Sequence, residues 1–357
     1  MRKHLIFLFD GTWMSAPDVE HQDQMSNVYL INLILKNKNL KREQQIVFYQ
    51  TGSGTRLVGQ SNLQGLAGTE LKPLVESAYV DLCSNYCKGD TITVLGYSRG
   101  AMLARVFAGV VSLCGILRAE KINFIRDVMG HFAKIGSEDP AFAKRRIQRL
   151  RKHTHRSVKI SFLGLFDAVA GIKGTMDKGS YELLDFKDKK LSDSVSSAVH
   201  ILAINESRTA FKPTLFSGKS KPSQKLMQVW MPGVHSDIGG GGNNVWLSSI
   251  SLLYMIEAMK RHVQFLMFDS VKIKELKKRI NDWRPVEFDE IEGRKQLRFS
   301  SPLLRSNRSY VGQFQNQSLH PIFKKGKVEF PRVGRLKASS LYFQMPKSFR
   351  DIWKIQE

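Results

Sequence analysis

The sequence predicts an α/β protein with a mostly parallel central sheet and helices on both of its faces. Short segments rich in aliphatic, aromatic and β-branched residues have the character of buried strands: Leu5–Phe9, Ile46–Gln50, Thr91–Leu95, Val158–Phe166 and Lys225–Met231. Helical patterns follow several of them: Asn27–Lys36, Glu70–Tyr86 and Ala101–Leu113. Because strands and helices alternate along the chain, the strands are expected to lie parallel.

Three segments depart from this alternation. Residues 118–156 are predicted to be a helical, strongly basic insertion, and residues 171–197 a polar, lysine-rich one. Near residue 269 the composition changes again: Ser270–Trp283 has the pattern of a basic amphipathic helix, and prolines divide the remaining C-terminal sequence. We therefore expect a main domain over residues 1–268 and a cap or membrane-contact subdomain over residues 269–357.

The chain has a strong excess of positive charge. Its 357 residues carry a formal net charge of +23, with 42% hydrophobic and 24% charged residues. Such an excess favours anionic partners, although solvated surface lysines are the simpler explanation. Three cysteines, an odd and sparse set, argue against a disulfide framework or a spaced zinc site.

The amino-terminal segment resembles an export signal only superficially. Basic residues precede an apolar run, but that run is only Leu5–Phe9 before Asp10 interrupts it, shorter than the roughly 7–15 residues a signal needs. No later stretch approaches the roughly 20 apolar residues of a membrane span. We expect a soluble protein, cytoplasmic in the cell that makes it, whose membrane contact is peripheral.

The sequence Gly-Tyr-Ser-Arg-Gly, residues 96–100, carries the main chemical signal. It ends a β-rich run and opens an alanine-rich helical one, as the nucleophile elbow of an α/β-hydrolase does. Ser98 is therefore the candidate nucleophile, and a tight structural turn is the alternative. The flanking glycines permit a strained corner, and the following helix terminus favours a developing oxyanion.

A serine nucleophile needs a base and an orienting acid. Asp167 and His235 each follow a later predicted strand, giving the chain order Ser, Asp, His of α/β-hydrolases. Asp167 as a helix cap or strand-end hydrogen-bonder, and His235 as a loop residue bound to backbone, are the alternatives. His320 is the strongest rival base, since the tail could fold over the site.

The oxyanion hole is predicted at backbone N–H groups: that of Arg99, after the nucleophile, and that of Gly11 or Thr12 after the first strand. Asp10 is a candidate for orienting this loop, and Asp237 is a further supporting candidate. No spaced ligand set predicts a metal, and no cofactor is expected.

Six ordered motifs together resemble a known family: FDGTW (9–13), YQTGSGT (49–55), GYSRGAMLAR (96–105), FLGLFDAVA (162–170), INESRTAFKP (204–213) and VWMPGVHSDIGGG (229–241). They are similar to the α/β-hydrolase family once catalogued as domain of unknown function 2235, which includes phospholipase effectors of bacterial type VI secretion. The resemblance implies ester cleavage in glycerophospholipids, with Ser98, Asp167 and His235 as nucleophile, acid and base. The sequence departs from the family pattern at Asn205-Glu206, where an Asp-Glu pair is usual, and at Ala168, where threonine is usual.

The leading hypothesis is thus a phospholipase A acting as an antibacterial effector-type toxin. Its expected partners are a phospholipid membrane surface, an acidic immunity protein and a secretion-system component. A serine esterase or thioesterase for a small soluble ester is the second hypothesis. A nucleic-acid-binding protein on the same fold is the third; only the net charge suggests it, and no nucleic-acid motif is present.

Overall fold

The computed structural model describes residues 2–12, 14, 25–36, 43–52, 71–134, 139–171, 190–206, 208, 211–217, 220–242, 245–282 and 317–319 of the chain. Seven described strands form one sheet in which every neighbouring pair is parallel. They are β1 (Arg2–Phe9), β2 (Glu43–Gln50), β3 (Thr91–Tyr97), β6 (Ile160–Phe166), β7 (Val195–Ala203), β8 (Lys225–Met231) and β9 (Gln317–Leu319). Their spatial order is β2-β1-β3-β6-β7-β8-β9. The short strands β4 (Ile116–Leu117) and β5 (Thr154–His155) form a separate antiparallel pair.

Helices occupy most of the described connections. They are α1 (Asn27–Ile34), α2 (Leu71–Asn85), α3 (Arg99–Cys114), α4 (Ile125–Ala133), α5 (Pro140–Arg151), α6 (His235–Gly239), α7 (Val245–His262) and α8 (Ser270–Asp282), with a 3₁₀ segment at Ala119–Phe124. Ser26 begins α1 by accepting a hydrogen bond from the Tyr29 N–H, and Asp139 begins α5 in the same way through Phe142. The predicted α/β class and mostly parallel sheet are confirmed.

The sheet has a hydrophobic core on each face, as the near-continuous apolar strands require. Along β1, Leu5 and Phe7 point into a core shared with α2 and α3, whereas Ile6 and Leu8 point into one shared with α1 and α7. All four side chains are fully buried. This alternation is the two-residue period of a strand with both of its faces covered.

Strand β7 was missed by sequence reasoning, which ended the second polar insertion at Ser197. The strand begins at Val195, and its ladder pairs with both β6 and β8. Ser197 and His200 interrupt its apolar pattern, yet both are buried in the sheet. The pairing with β6 and β8 shows that the segment is a central strand despite these two polar positions.

The predicted basic insertion is helical where described: α4 and α5 lie between β4 and β5. Residues 172–189 of the second predicted insertion lie outside the described residues. In the C-terminal region, α8 confirms the predicted basic helix and β9 extends the sheet beside β8. The remaining residues from 283 onwards lie outside the described part. The domain boundary near residue 268 stays a prediction.

The carboxyl ends of the central strands are aligned. Phe9 is level with Gly96, Tyr97 with Phe166, and Phe166 with Ile201. Loops that follow these strands therefore meet at one edge of the sheet, where ligand sites of open parallel sheets form. We call this the site edge.

Candidate active site

Ser98 occupies a strained corner between β3 and α3. Its backbone has φ 59° and ψ −125°, a region that non-glycine residues rarely adopt. A Cβ on Gly96 would lie 2.4 Å from the Gly100 carbonyl oxygen, and one on Gly100 would lie 2.3 Å from the carbonyl oxygen of Asp10. The two glycines therefore allow helix, strand and neighbouring loop to meet at this corner.

Ser98, His235 and Asp167 are joined by two hydrogen bonds. The His235 Nε2 atom lies 2.9 Å from the Ser98 hydroxyl, and the His235 Nδ1 atom lies 2.6 Å from Asp167 Oδ2. An ionised carboxylate only accepts, so the proton between Asp167 and His235 belongs to Nδ1. Nε2 is then the acceptor for the Ser98 hydroxyl proton. We refer to these three residues as the Ser-His-Asp array.

Asp167 is held rigidly at the end of β6. It is fully buried, with φ 41°, and its Oδ1 accepts the N–H of Ala203 at 3.1 Å. Its own N–H donates to the Ile201 carbonyl at 2.8 Å. These two contacts with β7 thus leave Oδ2 directed at the imidazole.

His235 is the first residue of α6, and Asp237 caps that helix. Asp237 Oδ2 accepts the Val234 N–H at 2.8 Å. Burial, opposed by this hydrogen bond and reinforced by the negative charge of Glu206, raises the pKa of Asp237 to about 7. Asp237 therefore supports the loop that carries His235.

Two aromatic rings contact the imidazole of His235. The Tyr97 ring centroid is 4.8 Å away at an interplanar angle of 31°, and the Phe211 centroid is 4.6 Å away at 60°. Burial, followed by the charge of Asp167, raises the pKa of Tyr97 well above its usual value, so its hydroxyl stays protonated. That hydroxyl lies 3.4 Å from the His235 carbonyl oxygen.

Glu206 and Arg208 form an ion pair beside His235. Glu206 is 2% exposed, and its two oxygens accept from Arg208 Nε at 2.8 Å and Nη2 at 2.6 Å. The Glu206 carboxylate also accepts the backbone N–H of His235 at 3.2 Å. Burial alone would lower the pKa of Arg208, but its hydrogen bonds and attraction to Glu206 raise it.

The candidate oxyanion donors lie where α3 begins and where β1 ends. Arg99 is the first residue of α3, and its side chain donates from Nε to the Thr12 hydroxyl, tying the two loops together. The Gly11 N–H donates to Asp10 Oδ1 at 2.7 Å. The Gly11 N–H is therefore engaged, whereas among the described residues none accepts from the Thr12 N–H.

Asp10 organises the loop after β1. Its carboxylate also accepts the hydroxyls of Ser26 at 2.7 Å and Tyr49 at 2.6 Å. Burial raises the pKa of Asp10 to about 6, although these three hydrogen bonds oppose that shift. These contacts join the loop after β1 to Ser26 and Tyr49, and the orienting role of Asp10 stays a prediction.

Most of the residues predicted from sequence as site residues thus meet at the site edge: Ser98, Asp167, His235, Arg99, Gly11, Thr12, Asp10 and Asp237. His320 lies outside the described residues. Within the described part of the chain, no group of three or more His, Cys, Asp or Glu side chains is arranged to hold a metal ion.

Sequence reasoning gave no role to Tyr97, Glu206, Arg208 or Phe211. The last three follow β7, the missed strand, so their position at the site edge could not be inferred from the strand pattern. The signal available was the polar motif INESRTAFKP, which stands between two apolar segments.

Comparison with known protein families identifies the chain. Residues 3–258 match the family described as "T6SS, Phospholipase effector Tle1-like, catalytic domain", which is more than two thirds of the sequence. The chain belongs to this family. By that description the Tle1-like family is one of hydrolases of the phospholipase class, and the resemblance inferred from the six motifs is confirmed.

Three proteins similar to this Tle1-like chain share less than 30% of its sequence. A Saccharomyces cerevisiae protein described as "Uncharacterized protein YEL023C" is 27% identical over 235 residues, which is 60% of this chain and 33% of that protein. The solved Tle1 effector bound to the VgrG spike has a TM-score of 0.38 and 23% identity, covering 68% of this chain and 52% of the other. An uncharacterized Pseudomonas aeruginosa protein has a TM-score of 0.45 and 18% identity, covering 79% and 50%. The chain therefore spans a third of the curated relative and about half of these two solved chains.

The two departures from the family pattern have structural counterparts. Asn205 Oδ1 accepts the Gly233 N–H at 2.7 Å, so an amide holds the His235 loop where a carboxylate is usual, and Glu206 keeps the ionic contact. Ala168 is buried, and its N–H donates to His200 Nε2 at 3.0 Å. Neither change removes a member of the Ser-His-Asp array.

The described helices include none that is both long enough and apolar enough to cross a lipid bilayer.

Proposed function

We propose that this Tle1-like chain is a serine hydrolase that cleaves carboxylic ester bonds of glycerophospholipids, as a phospholipase A does. The observation that carries the proposal is the Ser-His-Asp array, with 2.9 Å and 2.6 Å links, at the strained start of α3. Nucleophile, base and orienting acid within hydrogen-bond reach are the requirement for acyl transfer to serine. Family membership supports the lipid substrate.

In the proposed reaction, Ser98 Oγ attacks the acyl carbonyl while His235 Nε2 takes its proton. The negative charge on the carbonyl oxygen is stabilised by the N–H groups of Arg99 and Thr12. His235 then gives its proton to the departing alcohol oxygen, leaving an acyl group on Ser98. A water molecule, deprotonated by the same nitrogen, attacks that ester, releases the fatty acid and restores the Ser98 hydroxyl. Asp167 keeps the Nδ1 proton in place throughout.

The test is fatty-acid release from mixed anionic and zwitterionic phospholipid vesicles, with wild type beside Ser98→Ala. Release by wild type alone, with equal thermal stability of both proteins, is the expected result. Retained release by Ser98→Ala would overturn the assignment of the nucleophile. Turnover only of short-chain soluble esters, with no gain at vesicles, would favour the small-ester alternative.

Membrane association of the proposed enzyme is assigned to the basic helix α8 in preference to α5. The Trp246 indole N–H at the start of α7 donates to the Ile280 carbonyl, so the end of α8 lies near the glycine-rich loop that follows His235. Arg151, which ends α5, donates instead to the Leu113 carbonyl near the far end of α3. At 1.5 Å per residue, the length of α3 separates that end from Ser98 by roughly 20 Å.

An effector-type biological role is a further part of the proposal. The family is one of type VI secretion effectors, and the solved Tle1 effector was captured on a VgrG spike. We therefore propose a secretion-system component as one partner of this chain and, because the chain is basic, an acidic immunity protein as another. Co-purification from the producing cell tests both; recovery of neither protein would contradict this role.

A further inference from the structure

We infer that Glu206, Arg208 and Phe211 are positioning residues that hold the His235 imidazole between Ser98 and Asp167. The inference rests on the proposed function and adds residues to its mechanism. Glu206 and Phe211 both contact His235, and Arg208 contacts both Glu206 and Phe211.

The first contact is made to the backbone of His235. Glu206 Oε2 accepts the His235 N–H at 3.2 Å and Arg208 Nη2 at 2.6 Å. Glu206 Oε1 accepts the side-chain Nε and the backbone N–H of Arg208, at 2.8 and 2.9 Å. A buried carboxylate needs a counter-charge and filled acceptor sites, and the guanidinium supplies both. The Glu206–Arg208 ion pair thereby fixes the position of the His235 backbone, to which the imidazole is attached.

The second contact is made to the imidazole ring. Phe211 packs edge to face on it at 4.6 Å, and the Arg208 guanidinium lies 3.8 Å from the centroid of the same phenyl ring. One arginine therefore acts on both the carboxylate and the phenyl group that contact His235. Such a linkage couples the side-chain position to the backbone position.

The segment that carries Phe211 is itself anchored next to Asp167. The Thr214 N–H donates to the Ala168 carbonyl at 2.8 Å, and the Thr214 carbonyl accepts from Arg105 at 2.6 Å. The Arg105 guanidinium also lies 4.0 Å from the Phe216 ring centroid. Phe211 therefore belongs to a segment that is hydrogen-bonded to Ala168, the residue that follows Asp167. Such anchoring keeps the side chains around a site in fixed positions.

Loss of positioning has a kinetic signature different from loss of substrate binding. Small misplacement of a catalytic group lowers the chemical rate on the order of 10²-fold without a matching change in binding. We therefore expect Phe211→Leu and Arg208→Met to lower kcat on a soluble ester by about this factor while KM changes less than about threefold. Phe211→Tyr and Arg208→Lys, which keep the ring or the charge, should recover part of kcat.

The pH profile gives a second readout. The charged and titratable groups that face His235 are Asp167, Tyr97, Glu206, Arg208 and Asp237. Arg208→Met removes the counter-charge of the buried Glu206 carboxylate beside His235, so the pH profile of kcat should change. Phe211→Leu removes no charge and should leave the profile in place.

Two matched controls exist at a distance from the site. Arg118 and Glu120 form an ion pair with the same two-residue spacing as Arg208 and Glu206, but exposed to solvent. Phe124 stacks on His153 with centroids 4.5 Å apart, a second phenylalanine–histidine contact. Arg118→Met and Phe124→Leu should leave kcat and the pH profile unchanged.

A measurement that does not depend on turnover separates this inference from the proposed function. In histidine-labelled protein, the Nδ1 proton of His235, protected by its bond to Asp167, should give an NMR signal that weakens in Phe211→Leu and Arg208→Met but persists in both controls. Persistence in all four variants, or wild-type kcat in the two site variants, would overturn the positioning role. A wild type that shows this signal but no Ser98-dependent turnover would overturn the proposed function alone.

Discussion

Asp167 and His235, 68 residues apart in the chain, are joined by a hydrogen bond of 2.6 Å that is closed off from solvent. The bond determines which imidazole nitrogen carries the proton, because the ionised carboxylate can only accept. The other nitrogen is thereby available to Ser98.

Replacing Asp167 with asparagine should therefore lower kcat by about 10⁴-fold, because an amide donor would favour the wrong imidazole tautomer. Ester hydrolysis under saturating substrate measures this loss, and circular dichroism checks the fold. Asp193→Asn, which alters an exposed aspartate paired with Lys221, serves as the control and should keep full activity. A decrease of less than tenfold in Asp167→Asn would contradict the assigned role.

Gly96→Ala and Gly100→Ala should each destabilise the protein by about 3 kcal/mol or more, the upper end of the range for overpacking. The added methyl group would meet backbone atoms at 2.3–2.4 Å, and backbone cannot rotate away. Urea denaturation measures the loss. Gly130→Ala in α4 is the control: its nearest neighbour is the flexible end of Arg146 at 3.3 Å, so stability should hold or rise. Equal behaviour of all three variants would contradict this account of the corner.

Asn205→Ala should lower the free energy of unfolding by about 1–3 kcal/mol and also lower kcat, since the Gly233 N–H loses its acceptor two residues before His235. Asn205→Asp restores the residue usual in the family and keeps an acceptor, so it should lose much less. Chemical denaturation and ester turnover, measured for both variants, test this prediction. Equal losses in both would mean that the hydrogen bond is not the feature that matters.

Asp237 should contribute stability that is lost as pH rises from about 4 to 7. Its pKa is raised from 3.8 to about 7 in the folded protein, so the folded state binds the proton more tightly than the unfolded state. The protonated carboxyl of Asp237 stabilises the fold fully below pH 3.8, its pKa in the unfolded chain. This stabilisation is lost as the pH rises through its pKa of about 7 in the folded protein. Asparagine in place of Asp237 keeps an oxygen that can accept the Val234 N–H, but this side chain does not titrate. The difference in unfolding free energy between pH 5 and pH 7 should thus be smaller in Asp237→Asn by roughly 2–3 kcal/mol. An unchanged difference would contradict the assignment.

Charge reversal on α8 should weaken binding to anionic vesicles more than the same change on α5. Lys274 and Lys278 are exposed one turn apart on α8, as Arg145 and Arg149 are on α5. Each near-surface charge contributes about 1 kcal/mol, so the double reversal Lys274→Glu with Lys278→Glu should weaken binding at least tenfold. Vesicle co-sedimentation at low and high salt measures it. Equal weakening by the Arg145→Glu, Arg149→Glu pair would contradict the proposed orientation.

Sequence reasoning located the predicted strands and helices to within a few residues of their observed bounds. Lys225–Met231 coincides with β8, and Asn27 begins α1 as expected. It failed at β7, where Ser197 and His200 lie in the interior of the sheet. From the sequence alone, a polar residue that its neighbours bury cannot be distinguished from one exposed to water.

The same failure concealed part of the site. Glu206 and Arg208 follow β7, so without that strand nothing brought them to the site edge. Tyr97 belongs to the Gly-Tyr-Ser-Arg-Gly motif. Its contact with the His235 ring, 138 residues away in the chain, cannot be inferred from the spacing of neighbouring residues.

The sequence by itself determined the α/β class and the family, and it predicted the three residues of the array, because strand period, glycine placement and motif order are local properties. Tertiary structure alone decided which of Gly11 and Thr12 has its N–H engaged, how Asn205 substitutes for a carboxylate, and which side chains surround His235. Those outcomes depend on contacts between loops that are far apart in the chain and adjacent only after the strands align at one edge of the sheet.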